Sequence, residues 1–136
     1  MAVARGGRLF TWGVLSWLVA LSLGPAPAIA DDHCRVQLSR GWSQGAGQGT
    51  MVTKKNVKAC GATLYTVPEA NVVVEAIKVE SPPKNGTVRI EVPRFFYTPK
   101  RGFVGRDRFE LSAEGPDQAR GQRITLKGEV TVQVDP

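Results

Sequence analysis

A chain of 136 residues is enough for one domain with one core. Its eighteen basic and twelve acidic side chains give a net charge of +6, a modest excess that, without a dense basic cluster, argues against nucleic acid as a partner. Two cysteines and one histidine leave too few soft ligands for a zinc site.

Residues 1–30 read as a secretory signal peptide. "MAVARGGR" carries Arg5 and Arg8 and no acid, "LFTWGVLSWLVALSLG" is an uncharged apolar run, and "PAPAIA" sets Ala28 and Ala30 at the small-residue positions of a cleavage site. The apolar run is short for a membrane span, an uncleaved anchor being the competing reading. No twin arginine is present, and "DDHC" lacks the small apolar residues that precede a lipidated cysteine. The expected mature protein starts near Asp31, is a single domain over residues 31–136, and has no stable membrane insertion. It retains sixteen of the basic residues and all twelve acids, a charge of about +4. That balance favours acidic partners such as anionic glycans or lipid headgroups, and equally suits an ordinary soluble surface.

Cys34 and Cys60 are an even pair in an exported chain, so a disulfide is expected. His33 directly precedes Cys34 near the terminus and makes a poor nucleophile pair with it. "SRGWSQGAGQGT", residues 39–50, reads as a Gly-rich loop inside the disulfide ring. Within it, Trp42 is open to two readings: an exposed contact for sugar or protein, or a ring folded back over a sheet.

Beyond the loop the chain reads as β-structure. "NVVVEAIKV" puts Val73, Ile77 and Val79 on one face, and "GTVRIEV" alternates Val88, Ile90 and Val92 inward. "SPPKNG" between them suggests a tight hairpin, because Asn85-Gly86 suits positive φ. "DRFELSA" sets Phe109, Leu111 and Ala113 on one side. "EGPDQARGQ" then reads as a longer loop leading to "ITLKGEVTVQV", where Ile124, Leu126, Val130, Val132 and Val134 share one parity. A period of two held that long is a half-buried antiparallel strand. Gly128, the break in its row, marks a bulge or a close backbone approach.

"YTPKRGFVGRDRFEL", residues 97–111, reads as a corner between two strands. Phe95 and Tyr97 share parity and enter the core, Pro99 ends the ladder, and Gly102 and Gly105 turn the chain. Phe103 plugs the open end, and Asp107 starts the next strand, where its carboxylate can accept backbone N–H groups. A phosphate cradle is not expected, because a β-alternating run and not a helix follows the glycines.

The segment "PPKNGTV…FFYTPKRGFVGRDRFEL…VTVQV" resembles the bacterial immunoglobulin-like, cadherin-like domains of surface proteins over residues 82–134. The resemblance rests on Pro83, Gly86, Phe95, Tyr97, Pro99, Gly102, Phe103, Gly105, Asp107 and Phe109. It implies an all-β, immunoglobulin-like Greek-key β-sandwich, and adhesion or recognition in place of catalysis. The acidic, calcium-favouring linkers of that family are missing; the Asp31–Asp32 pair is too isolated to cage a cation.

No catalytic set, metal site or cofactor is indicated. Most acids lie on outward parities or in loops, and no serine has a partner histidine. The candidate binding residues are Arg94, Phe96, Lys100, Arg101, Arg106 and Arg108, together with Trp42. Arginine beside an aromatic ring holds carboxylates or sulfates and stacks on sugar faces. The competing reading is a solvated face whose charges discourage edge-to-edge pairing. The expected function is an exported, non-catalytic binding module of the bacterial envelope (periplasm or cell surface) making protein or anionic-glycan contacts. The alternatives are an assembly component acting through an exposed sheet edge and, last, a small periplasmic hydrolase.

Overall fold

The computed structural model describes residues 33–64 and 71–136. The signal peptide read at residues 1–30 and the Asp31–Asp32 pair lie outside the described residues. The described chain forms eight strands: β1 (Cys34–Leu38), β2 (Gly47–Lys54), β3 (Cys60–Thr63), β4 (Ala76–Ser81), β5 (Gly86–Glu91), β6 (Arg94–Pro99), β7 (Gly105–Asp117) and β8 (Gln122–Asp135). One sheet has the order β1-β2-β8-β7-β4 and the other β3-β6-β5. Every pairing is antiparallel except that of β2 with β8. The two sheets pack face to face as a β-sandwich.

Alternation builds its interior. Phe95 and Tyr97 of β6 point in from one sheet, and Phe109 and Leu111 of β7 point in from the other. The Phe109 ring lies 5.9 Å from Phe95, edge-on, and 6.0 Å from Tyr97, nearly parallel. Leu126, Val130, Val132 and Val134 of β8 extend the same layer. Each large side chain so buried contributes about 1.5–3 kcal/mol, and the aromatic contacts add roughly 0.5–1.5 kcal/mol per pair.

The two edges of the sandwich are closed differently. On one side the Cys34–Cys60 disulfide joins β1 of the larger sheet to β3 of the smaller. On the other side the chain itself crosses from β4 to β5, through residues 82–85.

Several expectations need correcting. The Gly-rich stretch is not all loop: Trp42–Gln44 form a 3-10 turn and β2 begins at Gly47. Trp42 is fully buried. It lies flat on Gly47, where a Cβ would sit 2.4 Å from the indole. Gly47 is in turn the register partner of Gly128. A Cβ on Gly128 would stand 2.6 Å from the Gly47 carbonyl oxygen, so this glycine marks a close approach, with register unbroken.

In "NVVVEAIKV" the inward residues are Val72 and Val74, then Ile77 and Val79, with Val73 45% exposed. Parity slips by one where the irregular segment 73–75 enters β4. Val92 does not continue β5. It sits 46% exposed in the two-residue turn, with a cis Val92–Pro93 bond, that joins Glu91 to its partner Arg94. "SPPKNG" is no hairpin, because β4 and β5 belong to different sheets and Gly86 opens β5 without positive φ. "EGPDQARGQ" is largely strand: β7 runs to Asp117, and only residues 118–121 turn before β8. Gly115 is required there because a Cβ would fall 1.8 Å from the Val73 carbonyl oxygen.

The disulfide closes a ring with a sequence separation of 26, worth about 3–4 kcal/mol on the chain-entropy estimate. The paired substitution Cys34→Ser/Cys60→Ser should lower unfolding stability by about that amount in urea titrations. An unchanged midpoint would show that the staple contributes nothing.

Candidate binding surface

Asp107 organises the crossing edge. It is the third residue of β7 and faces inward, next to Phe109 on the same parity. Its Oδ1 accepts the backbone N–H of Lys84 at 3.0 Å and that of Arg108 at 2.9 Å. Its Oδ2 accepts the backbone N–H of Asn85 at 2.9 Å and the Tyr97 hydroxyl at 3.0 Å. An ionised carboxylate has about four acceptor sites, so this one is fully used. The one N–H at its strand start, that of Arg108, is thus joined by two from a loop 22 and 23 residues earlier in the chain.

The neighbouring motif residues serve the same latch. Gly86 leaves room for the tyrosine: a Cβ there would sit 2.5 Å from the Tyr97 ring. The Asn85 carbonyl oxygen lies 3.4 Å from the Tyr97 hydroxyl and accepts the Lys100 backbone N–H at 2.8 Å. The Lys100 ammonium donates to the Lys84 carbonyl oxygen at 2.9 Å. Gly102 and Gly105 both take positive φ, +79° and +134°, which the turn between β6 and β7 requires. Phe103 between them is half-buried against the core.

This latch builds one wall of a groove of about 420 Å³ on the outer face of the larger sheet. Ser81, Pro82, Lys84 and Asn85 form the wall; Arg106 and Arg108 of β7 and Glu129 and Thr131 of β8 form the floor. Arg108 lies 3.9 Å from Glu129. Neither Arg106 nor the Lys84 ammonium has a carboxylate partner among the described residues.

The basic residues singled out in sequence do not gather at one place. Arg106 and Arg108 meet Lys84 at the groove. Arg94 and Phe96 lie on the opposite outer face, that of the three-stranded sheet, where the Arg89 guanidinium stands 4.8 Å from the Phe96 ring centroid and also pairs with Glu91. Phe96 rests on Gly61, where a Cβ would sit 2.6 Å from its ring. Arg101 is exposed at the β6–β7 turn, beside Asn56, whose Oδ1 accepts the Gly102 N–H at 3.0 Å. Lys100 is committed to the latch. Trp42, being buried, leaves the set of contact residues: the folded-back reading is the one observed.

Pro82, Thr131 and Glu129 escaped the sequence reading as groove residues. Glu129 and Thr131 come beside the arginines only through register, Arg108 facing Thr131 and Glu110 facing Glu129, and no local pattern announces that pairing. Elsewhere Ser112 donates to Glu80 at 2.6 Å, tying β4 to β7. That bond, with Lys78 and Lys127 nearby, holds the Glu80 carboxyl below its ordinary range. No protein-family model matches the chain, and no curated protein matches it.

Asp107→Ala should cost about 2–4 kcal/mol, because the part-buried N–H groups of Lys84 and Asn85 lose a charged acceptor, whereas Tyr97→Phe should cost only about 1 kcal/mol. Denaturant unfolding of both variants checks the ranking; equal small losses would show the latch to be dispensable. Burial, the hydrogen bond to Asp107 and that carboxylate's charge all push the Tyr97 phenol upward from its usual pKa. A raised folded-state pKa means stability is fully present below the unfolded value of about 10 and is lost as pH rises above it. In a Tyr65→Phe background, the Tyr97 phenolate absorbance should therefore appear only with alkaline unfolding, and phenolate formation in the still-folded protein would contradict the assignment.

Proposed function

We propose that the chain is an exported, non-catalytic, immunoglobulin-like binding module of the bacterial envelope, making protein or anionic-glycan contacts through the groove beside Asp107. The observation that carries the reading is the groove's division of labour. Its buried acid is saturated by structural donors, and its wall and floor offer Lys84 and Arg106 without ion-pair partners among the described residues. A site with that chemistry is suited to holding anions, and its one buried acid is occupied by structural donors.

The strand order supports the immunoglobulin-like part. Taking β3, β6 and β5 as strands B, E and D, and β4, β7 and β8 as C, F and G, gives the neighbour orders B-E-D and C-F-G of that fold, which supports a Greek-key reading of the connections. The strand preceding B lies parallel beside the last strand. The motif by which the sequence resembles bacterial surface domains maps onto the latch residues Gly86, Tyr97 and Asp107. Export is supported by the signal-like N-terminus and by the disulfide, which is at home in an oxidising compartment.

Cross-linking of the full-length protein, exported by a bacterial host, within the intact envelope tests the reading. A specific envelope protein or polysaccharide should be captured, and Arg106→Glu/Arg108→Glu should abolish the capture while Arg40→Glu/Lys55→Glu leaves it. A defined complex that survives the groove reversal would favour an assembly component acting through a sheet edge. Hydrolytic turnover of an envelope polymer would overturn the non-catalytic reading.

A further inference from the structure

We propose that the groove binds an extended acidic peptide segment of a partner protein, with two carboxylates two residues apart meeting Arg106 and Arg108. The proposal rests on the binding-module reading above and specifies its ligand.

A step in the larger sheet creates the site. β4 pairs with β7 only from Glu114 to Glu110, where Ser81 is its last partner, with a register shift just before it. From Phe109 back to Gly105, β7 is paired with β8 alone. The 82–85 crossing stands off beside this stretch, held by Asp107, and the Arg108 N–H that a neighbouring strand would have accepted is taken by the same carboxylate. An open trough is left, with a strand as its floor.

Arg106 and Arg108 project from that floor on one face, two residues apart. A strand rises about 3.2–3.4 Å per residue, so their bases are separated by roughly 6.5 Å, the repeat of alternate side chains on any extended peptide. Each guanidinium offers the planar fork that a carboxylate accepts in two parallel hydrogen bonds. Lys84 adds a third cation from the wall.

Two features favour a short acidic peptide over a polyanionic glycan. The cationic stretch is bounded, because the next outward row on the floor is Glu110 facing Glu129. A uniformly charged polymer would run on across both carboxylates, whereas a segment with only two acids stops short of Glu110 and meets Glu129 alone, with which it competes for Arg108 across a 3.9 Å pairing; like-charge contact of that kind selects against the wrong partner. The groove-lining residues also contain no aromatic ring on which a sugar could stack; the half-buried Phe96 ring is on the opposite face.

The test is fluorescence anisotropy on the full-length exported protein with three labelled probes: a Gly/Ser-rich peptide carrying Asp-Thr-Asp, its isomer carrying Asp-Asp-Thr, and a polyuronate fragment. Alternate acids share one side of an extended chain and adjacent acids do not. The alternating peptide should bind at least about tenfold more tightly than its isomer, lose affinity as salt rises, and bind at least about tenfold more weakly to Arg106→Glu/Arg108→Glu. Both arginines are exposed, so unchanged unfolding midpoints should show that the variant folds. Equal affinity for the two peptides, preference for the polyuronate, or no peptide binding would overturn the proposal. Envelope capture lost on groove reversal would still stand in those cases, which separates this failure from failure of the binding-module reading.

Discussion

One carboxylate, that of Asp107, decides how this small sandwich is closed on the side without a covalent link. It gathers donors from the 82–85 crossing, from β6 and from β7. In a part-buried site each charge-assisted bond is stronger than a neutral one, and the group is unprofitable to bury unless all are made. The consequences spread outward. Tyr97 must point at Asp107, Gly86 must lack a side chain to let it, and the 82–85 crossing must stand where the groove needs a wall. The opposite edge is closed by the Cys34–Cys60 bond, which acts mainly on the unfolded chain. A domain of this size has limited core to spare, so a polar latch and a covalent staple, one on each edge, are complementary ways of keeping two sheets together.

Where the pattern was periodic and the partner antiparallel, the fold was legible. β8 could be read because five apolar residues keep one parity against solvent-facing Thr, Lys and Gln. The Tyr97, Gly105, Asp107 and Phe109 spacing pointed to the corner because each residue type has a separate steric or hydrogen-bonding reason to be there. What misled was local chemistry overruled by distant contacts. Asn85-Gly86 has hairpin character, yet the glycine answers to the Tyr97 ring and the asparagine N–H to Asp107. Gly47 and Gly49 look like loop residues, yet they lie in β2, with the Trp42 indole against Gly47 and Val130 and Leu38 against Gly49. The slip of parity after Val74 has no signature in composition, because valine occupies three consecutive positions and any of them fits a core.

The candidate surface was legible only in part. In sequence, the cations from Arg94 to Arg108 form one segment; in space, alternation and the turn at Gly102–Gly105 send them to opposite outer faces and to one end. Lys84 rejoins Arg106 and Arg108 because the latch carries the 82–85 crossing to β7. The acidic row that bounds them, Glu110 with Glu129, exists only in the β7–β8 register. Charge counting along the chain therefore names the cations and misses which of them the fold brings together.

Native-state hydrogen exchange at the backbone amides of Lys84 and Asn85 tests the latch most directly. Both lie in a crossing segment outside any strand, where exchange is ordinarily fast. If Asp107 holds them, they should exchange orders of magnitude more slowly than the exposed turn amide of Arg101, at a rate approaching that of the β7 core. Exchange at Lys84 and Asn85 as fast as at Arg101 would mean that the carboxylate does not hold the crossing, and the groove wall would lose its physical basis.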